Sequence, residues 1–332
     1  MQDIGSYIEL EFPKGRELFQ DISEQDKIRL NHGRAAIYHA LRCYGIKKVW
    51  LARYQCFVVR DFLWSKGIEV DYYEIDKDFK PLLESNEPDT AIVLNNYFGL
   101  LGDKHFEPLL KKYHNVIIDN AQAMFYPPKM DVLNIYSPRK FLSVPDGAYV
   151  IGKNVNRFSY EQDVSSDTAQ FLLMRYEYGF NGNGYANKRA NDERINTSDI
   201  KLMSKLTQIL LDSFDYENIL ERRRANFAYA RSQFDSINML NLDELLGENV
   251  EPMGYPLMVD FAEIMPEFHK HHIYQKNYWE HILHETEPDS VEYKLSKYFT
   301  LVCTDQRYGK EEIDFQRDII FRLKEESERK SK

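Results

Sequence analysis

An α/β fold with a mainly parallel sheet, followed by a smaller α+β unit, is the class this sequence predicts. Three observations carry that expectation. Short apolar runs alternate with helix-period segments over the first half. Most of these runs are apolar throughout, as strands buried on both faces are. After residue 152 the chain turns polar and irregular, then mainly helical, with two further apolar runs near the end.

In chain order, GRAAIYHALRCYG (33–45) reads as a helix, with Ala36, Ile37, Ala40 and Leu41 at helical spacing and Gly45 as its C-terminal cap. KKVWLA (47–52), IEVDYYEI (68–75), TAIVLNN (90–96), NVIIDN (115–120), DVLNIYS (131–137) and GAYVIG (147–152) read as strands bounded by turn residues. FVVRDFLWSKG (57–67) and KHFEPLLKKYH (104–114) have helical periodicity and supply right-handed crossovers. Residues 153–198, with NGNG at 181–184, read as an irregular segment suited to contacting a partner. One long helical stretch follows over 199–234, then a strand at YPLMVDF (255–261), a helix or two, a strand at YFTLVCT (298–304) and a final helix from Lys310 into a charged tail expected to fray. The expected division is a large domain over 1–198 and a small one over 199–332.

Composition removes several function classes. No apolar run approaches the roughly 20 residues that span a bilayer. The first residues lack a basic stretch leading into an apolar core, so a cytoplasmic protein is expected. Cys43, Cys56 and Cys303 are odd in number and far apart, which argues against a disulfide framework. A net charge of -10 disfavours a grip on a phosphate backbone, so nucleic acid is not an expected partner. HKHH (269–272) and HILH (281–284) lack the companion carboxylate of a metal motif, and no metal site is expected.

Chemistry concentrates at three places. IIDNAQA (117–123) ends an apolar strand in Asp119, and ligands of parallel sheets bind beyond the carboxyl ends of strands. Asp119 has two readings: a cap for backbone N–H groups at a strand-to-helix turn, or a carboxylate that pairs with a protonated ring nitrogen. Twenty-one residues on, YSPRKFLSVPDGAYV (136–150) sets Lys140 in a Pro-containing loop after a buried strand. A surface lysine is one reading; an amine poised for Schiff-base chemistry is the other. NHGRAAIYHAL (31–41) opens a helix at Gly33, whose free N–H groups can face a phosphate, with Arg34 able to add a charged contact.

Taken in this order, HGRAA, IDNAQA and YSPRK resemble the DegT/DnrJ/StrS family of sugar aminotransferases. LNNYFG (94–99) and CTDQRYG (303–309) are similar to two further stretches of that family. The resemblance covers most of residues 30–150 and thin parts of the rest. It implies a three-layer, aspartate-aminotransferase-like large domain, pyridoxal 5'-phosphate (PLP) as cofactor, and a homodimer with its site at the subunit interface. Lys140 would carry PLP as a Schiff base, Asp119 would hold the ring nitrogen, and Gln122 would lie against the ring or its phenolic oxygen. Gly33 and Arg34 would face the phosphate, joined by Ser137 and by Asn181 from a partner subunit. The family's stacking aromatic falls at Cys56, for which Phe57 or Tyr54 would substitute. Glutamate as amino donor and a nucleotide-linked keto-sugar as acceptor are what the family implies. Two alternatives stay open: a non-catalytic or PLP-binding homologue that has lost transamination, and a dehydratase-type enzyme, whose relatives carry His where Lys140 stands.

Overall fold

The computed structural model describes residues 7–180, 183–275 and 278–330. Seven strands form one sheet: β1 (Lys27–Leu30), β2 (Lys48–Ala52), β3 (Glu69–Tyr73), β4 (Ala91–Asn95), β5 (Val116–Asn120), β6 (Leu133–Tyr136) and β7 (Ala148–Ile151). Their order is β1-β7-β6-β5-β4-β2-β3. Strands β3, β2, β4, β5 and β6 are parallel, and β7 runs antiparallel to both β6 and β1. Two reversals restore direction, so β1 points the same way as the parallel strands and shares their carboxyl edge.

Strands β4 and β5 have apolar side chains on both faces because both faces are covered. On one side Val49, Leu51, Val93, Ile117, Ile135 and Val150 pack with Ile37 and Leu41 of α1 (Gly33–Tyr44) and Leu63 of α2 (Phe57–Ser65). Truncating a buried leucine such as Leu41 to Ala costs about 2–5 kcal/mol in such a core. Gly45 ends α1 at φ 72, and its N–H reaches the carbonyls of Arg42 and Leu41. That left-handed position favours glycine.

The opposite face, with Ile92, Leu94, Val116 and Ile118, packs against the C-terminal part of the chain in one continuous cluster. Helix α3 (Asp103–Lys112) borders it. That C-terminal part comprises α7 (Tyr216–Phe234), α8 (Leu242–Leu245), β8 (Tyr255–Met258), α9 (Ile264–Lys270), α10 (Ile282–Glu285), α11 (Val291–Tyr298), β9 (Phe299–Val302) and α12 (Lys310–Lys330). Strands β8 and β9 pair antiparallel. Two backbone hydrogen bonds stitch the junction, Met253 N–H to the Phe98 carbonyl at 2.7 Å and Gly247 N–H to the Leu100 carbonyl at 2.8 Å. Gly99 sits between them at φ 72, where an added Cβ would meet the Gln122 carbonyl at 2.8 Å and the Glu251 carbonyl at 2.9 Å.

Three expectations are corrected and one strand is added. The segment 153–198 is not irregular throughout: α4 (Gln170–Tyr178) and α5 (Asn183–Thr197) occupy much of it. The stretch 199–234 is two helices, α6 (Lys205–Ser213) and α7, broken where Phe214 turns extended and Asp215 caps α7 through the Asn218 amide. Strand β1 escapes an apolar-run reading because its sequence, KIRL, places a buried lysine in the sheet. The charged tail stays helical as far as Lys330. Among the described residues no helix is long and apolar enough to cross a membrane.

Candidate functional site

The shared carboxyl edge collects the ends of β1, β2, β4, β5 and β6 and the start of β7, and the candidate residues stand along it. Asp119 is the penultimate residue of β5 and lies beside Asn95 of β4 in register. Its Oδ1 accepts the Ala121 N–H at 2.9 Å, which closes an Asx turn and not a helix cap, because the chain passes from β5 to β6 without a helix. Oδ2 is left for other partners. Burial raises its pKa, while the nearby positive charge of Lys140 and the Ala121 amide pull it back.

Lys140 closes a single 3-10 turn, Pro138–Lys140, directly beyond β6, with its N–H directed to the Ser137 carbonyl at 3.4 Å. Its side chain is exposed, and it is the charge that Asp119 feels most. Ser137 is buried at the start of that turn, and its hydroxyl does not cap it. Gln122 accepts the Phe98 N–H at 3.0 Å through Oε1, while its Nε2 is buried with no acceptor among the described residues.

Gly33 starts α1 at the same edge, and the space beside its Cα is open to 4 Å. The N-cap is His32, whose Nδ1 accepts the Ala35 N–H at 3.0 Å. That bond leaves the proton on Nε2, which donates to the Ser198 carbonyl at 3.2 Å. Burial and the adjacent positive charge of Arg34 push its pKa down to about 3, so the ring stays neutral. Arg34 turns its guanidinium to the Ile195 carbonyl (2.7 Å) and the Asn196 side chain (2.9 Å), and its Nε is buried without an acceptor among the described residues. Arg139 reaches Asp192 at 2.7 Å, and Asn191 donates to the Pro145 carbonyl at 2.8 Å. The end of α5 therefore lies across this rim.

At the stacking position, Cys56 caps α2 without a side-chain hydrogen bond. Tyr54 is fully buried on the other face, edge-on to Trp279 at 4.5 Å, and is not at the rim. Phe57 turns toward His281, ring centres 5.3 Å apart. Asn181 lies outside the described residues. Sequence reasoning passed over Gln55 and Asn95, which join at 3.1 Å between β2 and β4, although Asn95 has the same strand-end signature as Asp119. Gln55 Nε2 is a further buried donor with no acceptor among the described residues. The arrangement offers a carboxylate and an amine on adjacent strand ends, unsatisfied donors beside them, and a glycine-led helix start across the edge.

No family model and no curated protein sequence matches the chain. Solved structures do match. A DegT DnrJ EryC1 StrS aminotransferase from Brucella abortus is 14% identical with a TM-score of 0.57, covering 89% of this chain and 84% of its own. The sugar aminotransferase CalS13 from Micromonospora echinospora is 15% identical at TM-score 0.59, covering 89% and 86%. NtdA from Bacillus subtilis, solved with bound cofactor PMP, is 14% identical at TM-score 0.60, covering 90% and 73%. The fold is that of the DegT DnrJ EryC1 StrS aminotransferases. On this fold the present chain sets an aspartate near the end of one strand and a lysine on the next strand's loop, while α5 closes over the start of α1.

Proposed function

We propose that the chain is a PLP-dependent aminotransferase that moves an amino group from glutamate to a keto-sugar carried on a nucleotide. The observation that carries this reading is the pair Asp119 and Lys140, an acid at the end of β5 and an amine just beyond the neighbouring β6, with the charge of Lys140 reaching Asp119. The ring end of the cofactor fits what is present. Gln122 Nε2 is a buried donor in want of an acceptor, and a phenolic oxygen would supply one. Gly33 leaves room at a helix start suited to a phosphate.

PLP, when bound, supplies an electron sink that stabilises negative charge on a substrate carbon. Asp119 would hold a proton at the pyridine nitrogen, which keeps that sink cationic. Lys140 would bind the cofactor through Nζ and, once displaced by an amino donor, carry the proton to and from the substrate carbon as base and acid. Gln122 would orient the ring, Cys56 would lie against its face, with Phe57 beside it, and Ser137 with the first amides of α1 would receive the phosphate. Arg34 would add charge there, and Asn181 would reach the phosphate from a second copy of the chain. A homodimer is supported by α4, which exposes Leu173, Tyr176 and Tyr178 at 62%, 94% and 66%.

A second reading, a homologue that binds but does not turn over, is favoured by one observation: His32 and Arg34 already engage the start of α1 and the end of α5. Incubation with PLP and borohydride, followed by peptide mass analysis, separates the possibilities. An adduct on the Lys140 peptide that is absent from Lys140→Ala supports the first step; equal labelling of Lys140→Ala sinks it. Glutamate-driven conversion of the bound cofactor to PMP supports transfer, and its absence with the adduct present supports the second reading.

A further inference from the structure

Two residues from the C-terminal part of the chain reach the loop that carries Lys140. Gln306 Nε2 donates to the Phe141 carbonyl at 2.9 Å, and Gln306 Oε1 accepts from Arg223 Nη1 at 2.9 Å. The amide cannot be turned the other way, because a guanidinium offers only donors and the Phe141 carbonyl only accepts. Arg223 is itself fixed: Nη2 donates to the Pro252 and Met253 carbonyls at 3.1 and 2.7 Å, and the guanidinium lies 4.9 Å from the centre of the Phe141 ring. That ring also meets Phe125 edge-on at 5.7 Å. Phe141 follows Lys140 directly, and its N–H is held by the Pro138 carbonyl at 2.9 Å.

We infer that Gln306 is a positioning residue for Lys140, acting through the Phe141 carbonyl with Arg223 as its brace. Phe141 is pinned at both ends, its nitrogen by the Pro138 carbonyl in the peptide shared with Lys140 and its oxygen by Gln306 in the next peptide, so the backbone on the C-terminal side of Lys140 has little freedom. The inference rests on Lys140 as the reactive amine of the proposed function. Arg223 alone would hold the C-terminal part of the chain without touching the lysine loop through a hydrogen bond; Gln306 converts that support into a fixed lysine.

The test separates pin from brace. Gln306→Glu keeps an acceptor for Arg223 but has no donor for Phe141, whereas Gln306→Leu removes both. Competitive acylation of the protein's amines across pH, resolved by peptide mass, reads Lys140 against the exposed Lys77 and needs no cofactor. In both variants Lys140 is expected to drift from Asp119 and to acylate faster, about fivefold, as the loss of one hydrogen bond would allow. Urea midpoints check that Gln306→Glu remains folded. A wild-type Lys140 profile in both variants would overturn the inference. So would a change in Gln306→Leu alone, which would show that the brace is sufficient. Failure to trap PLP on Lys140 would tell against the proposed function while leaving the acylation result decisive here.

Discussion

Arg34 donates from Nη2 to the backbone carbonyl of Ile195 across 2.7 Å, joining the start of α1 to the end of α5. Nη1 adds the Asn196 side chain at 2.9 Å. Replacing Arg34 by Met would remove both bonds at about 1 kcal/mol each or less, since the Ile195 carbonyl keeps the Ser198 N–H at 3.3 Å and Asn196 is exposed. Trypsin cleavage at Lys188, Arg189 or Arg194 should then quicken relative to cleavage elsewhere. Unchanged cleavage in α5 would show that these bonds do not hold it in place.

Asp119→Asn separates stability from chemistry. Asn can still accept the Ala121 amide, so the turn survives, but the charge is lost. Because burial raises the folded carboxyl's pKa, the unfolded chain ionises first as pH rises, and stability drains across that interval until the folded group ionises too. The variant is therefore expected to match the wild type at acid pH and to exceed it at neutral pH in urea midpoints. Cofactor conversion by glutamate should nevertheless fall by roughly 100-fold or more, as when a preorganised charge is removed.

His32 predicts acid sensitivity. Its folded pKa of about 3 lies below the ordinary 6.5, so the stability it contributes is complete above 6.5 and drains as pH falls toward 3. Between pH 7 and pH 5 the loss should be about 2 kcal/mol. His32→Asn keeps an N-cap acceptor without the titration. Urea unfolding of both proteins at the two pH values should show a smaller loss in the variant; parallel losses would refute this assignment.

Glu17 sits beneath the sheet edge, accepting from Lys27 at 2.6 Å, from Arg29 and from Tyr149 at 3.0 Å. Burial works to raise its pKa, but Arg29 and Lys27 outweigh that and hold it low. Its contribution is thus present above the usual carboxylate range and lost as pH drops through the lowered value. Glu17→Gln leaves Lys27, 1% exposed, with the exposed Glu24 at 3.2 Å as its remaining counter-charge. A loss smaller than the ~3–5 kcal/mol of a wholly uncompensated buried charge is expected in denaturant unfolding at neutral pH.

What could be read from the chain followed from physics that is local in sequence. The central strands show themselves because runs such as VIID and AIVL are apolar on both faces, and Gly45 because a helix end needs a left-handed residue. Asp119 stands out because it lies at the end of a buried strand, and Lys140 because it follows one. KIRL stayed hidden, since its lysine is neutralised by Glu17 ten residues earlier. Helices α4 and α5 stayed hidden too: α4 buries no residue, so it carries no helical stripe to read. The engagement of Arg34 could not be foreseen, because its partners lie about 160 residues away.

Gly99 bears on how the molecule comes apart. With the carbonyls of Gln122 and Glu251 closing on Gly99, and the Met253 and Gly247 amides bonded to the carbonyls on either side of it, the seam between the sheet and the C-terminal part is direct backbone contact over one continuous apolar cluster. Melting either side exposes the other's core, so the halves gain or lose order together. Cooperativity across the whole chain, rather than stepwise release of a C-terminal lobe, is the behaviour this seam imposes.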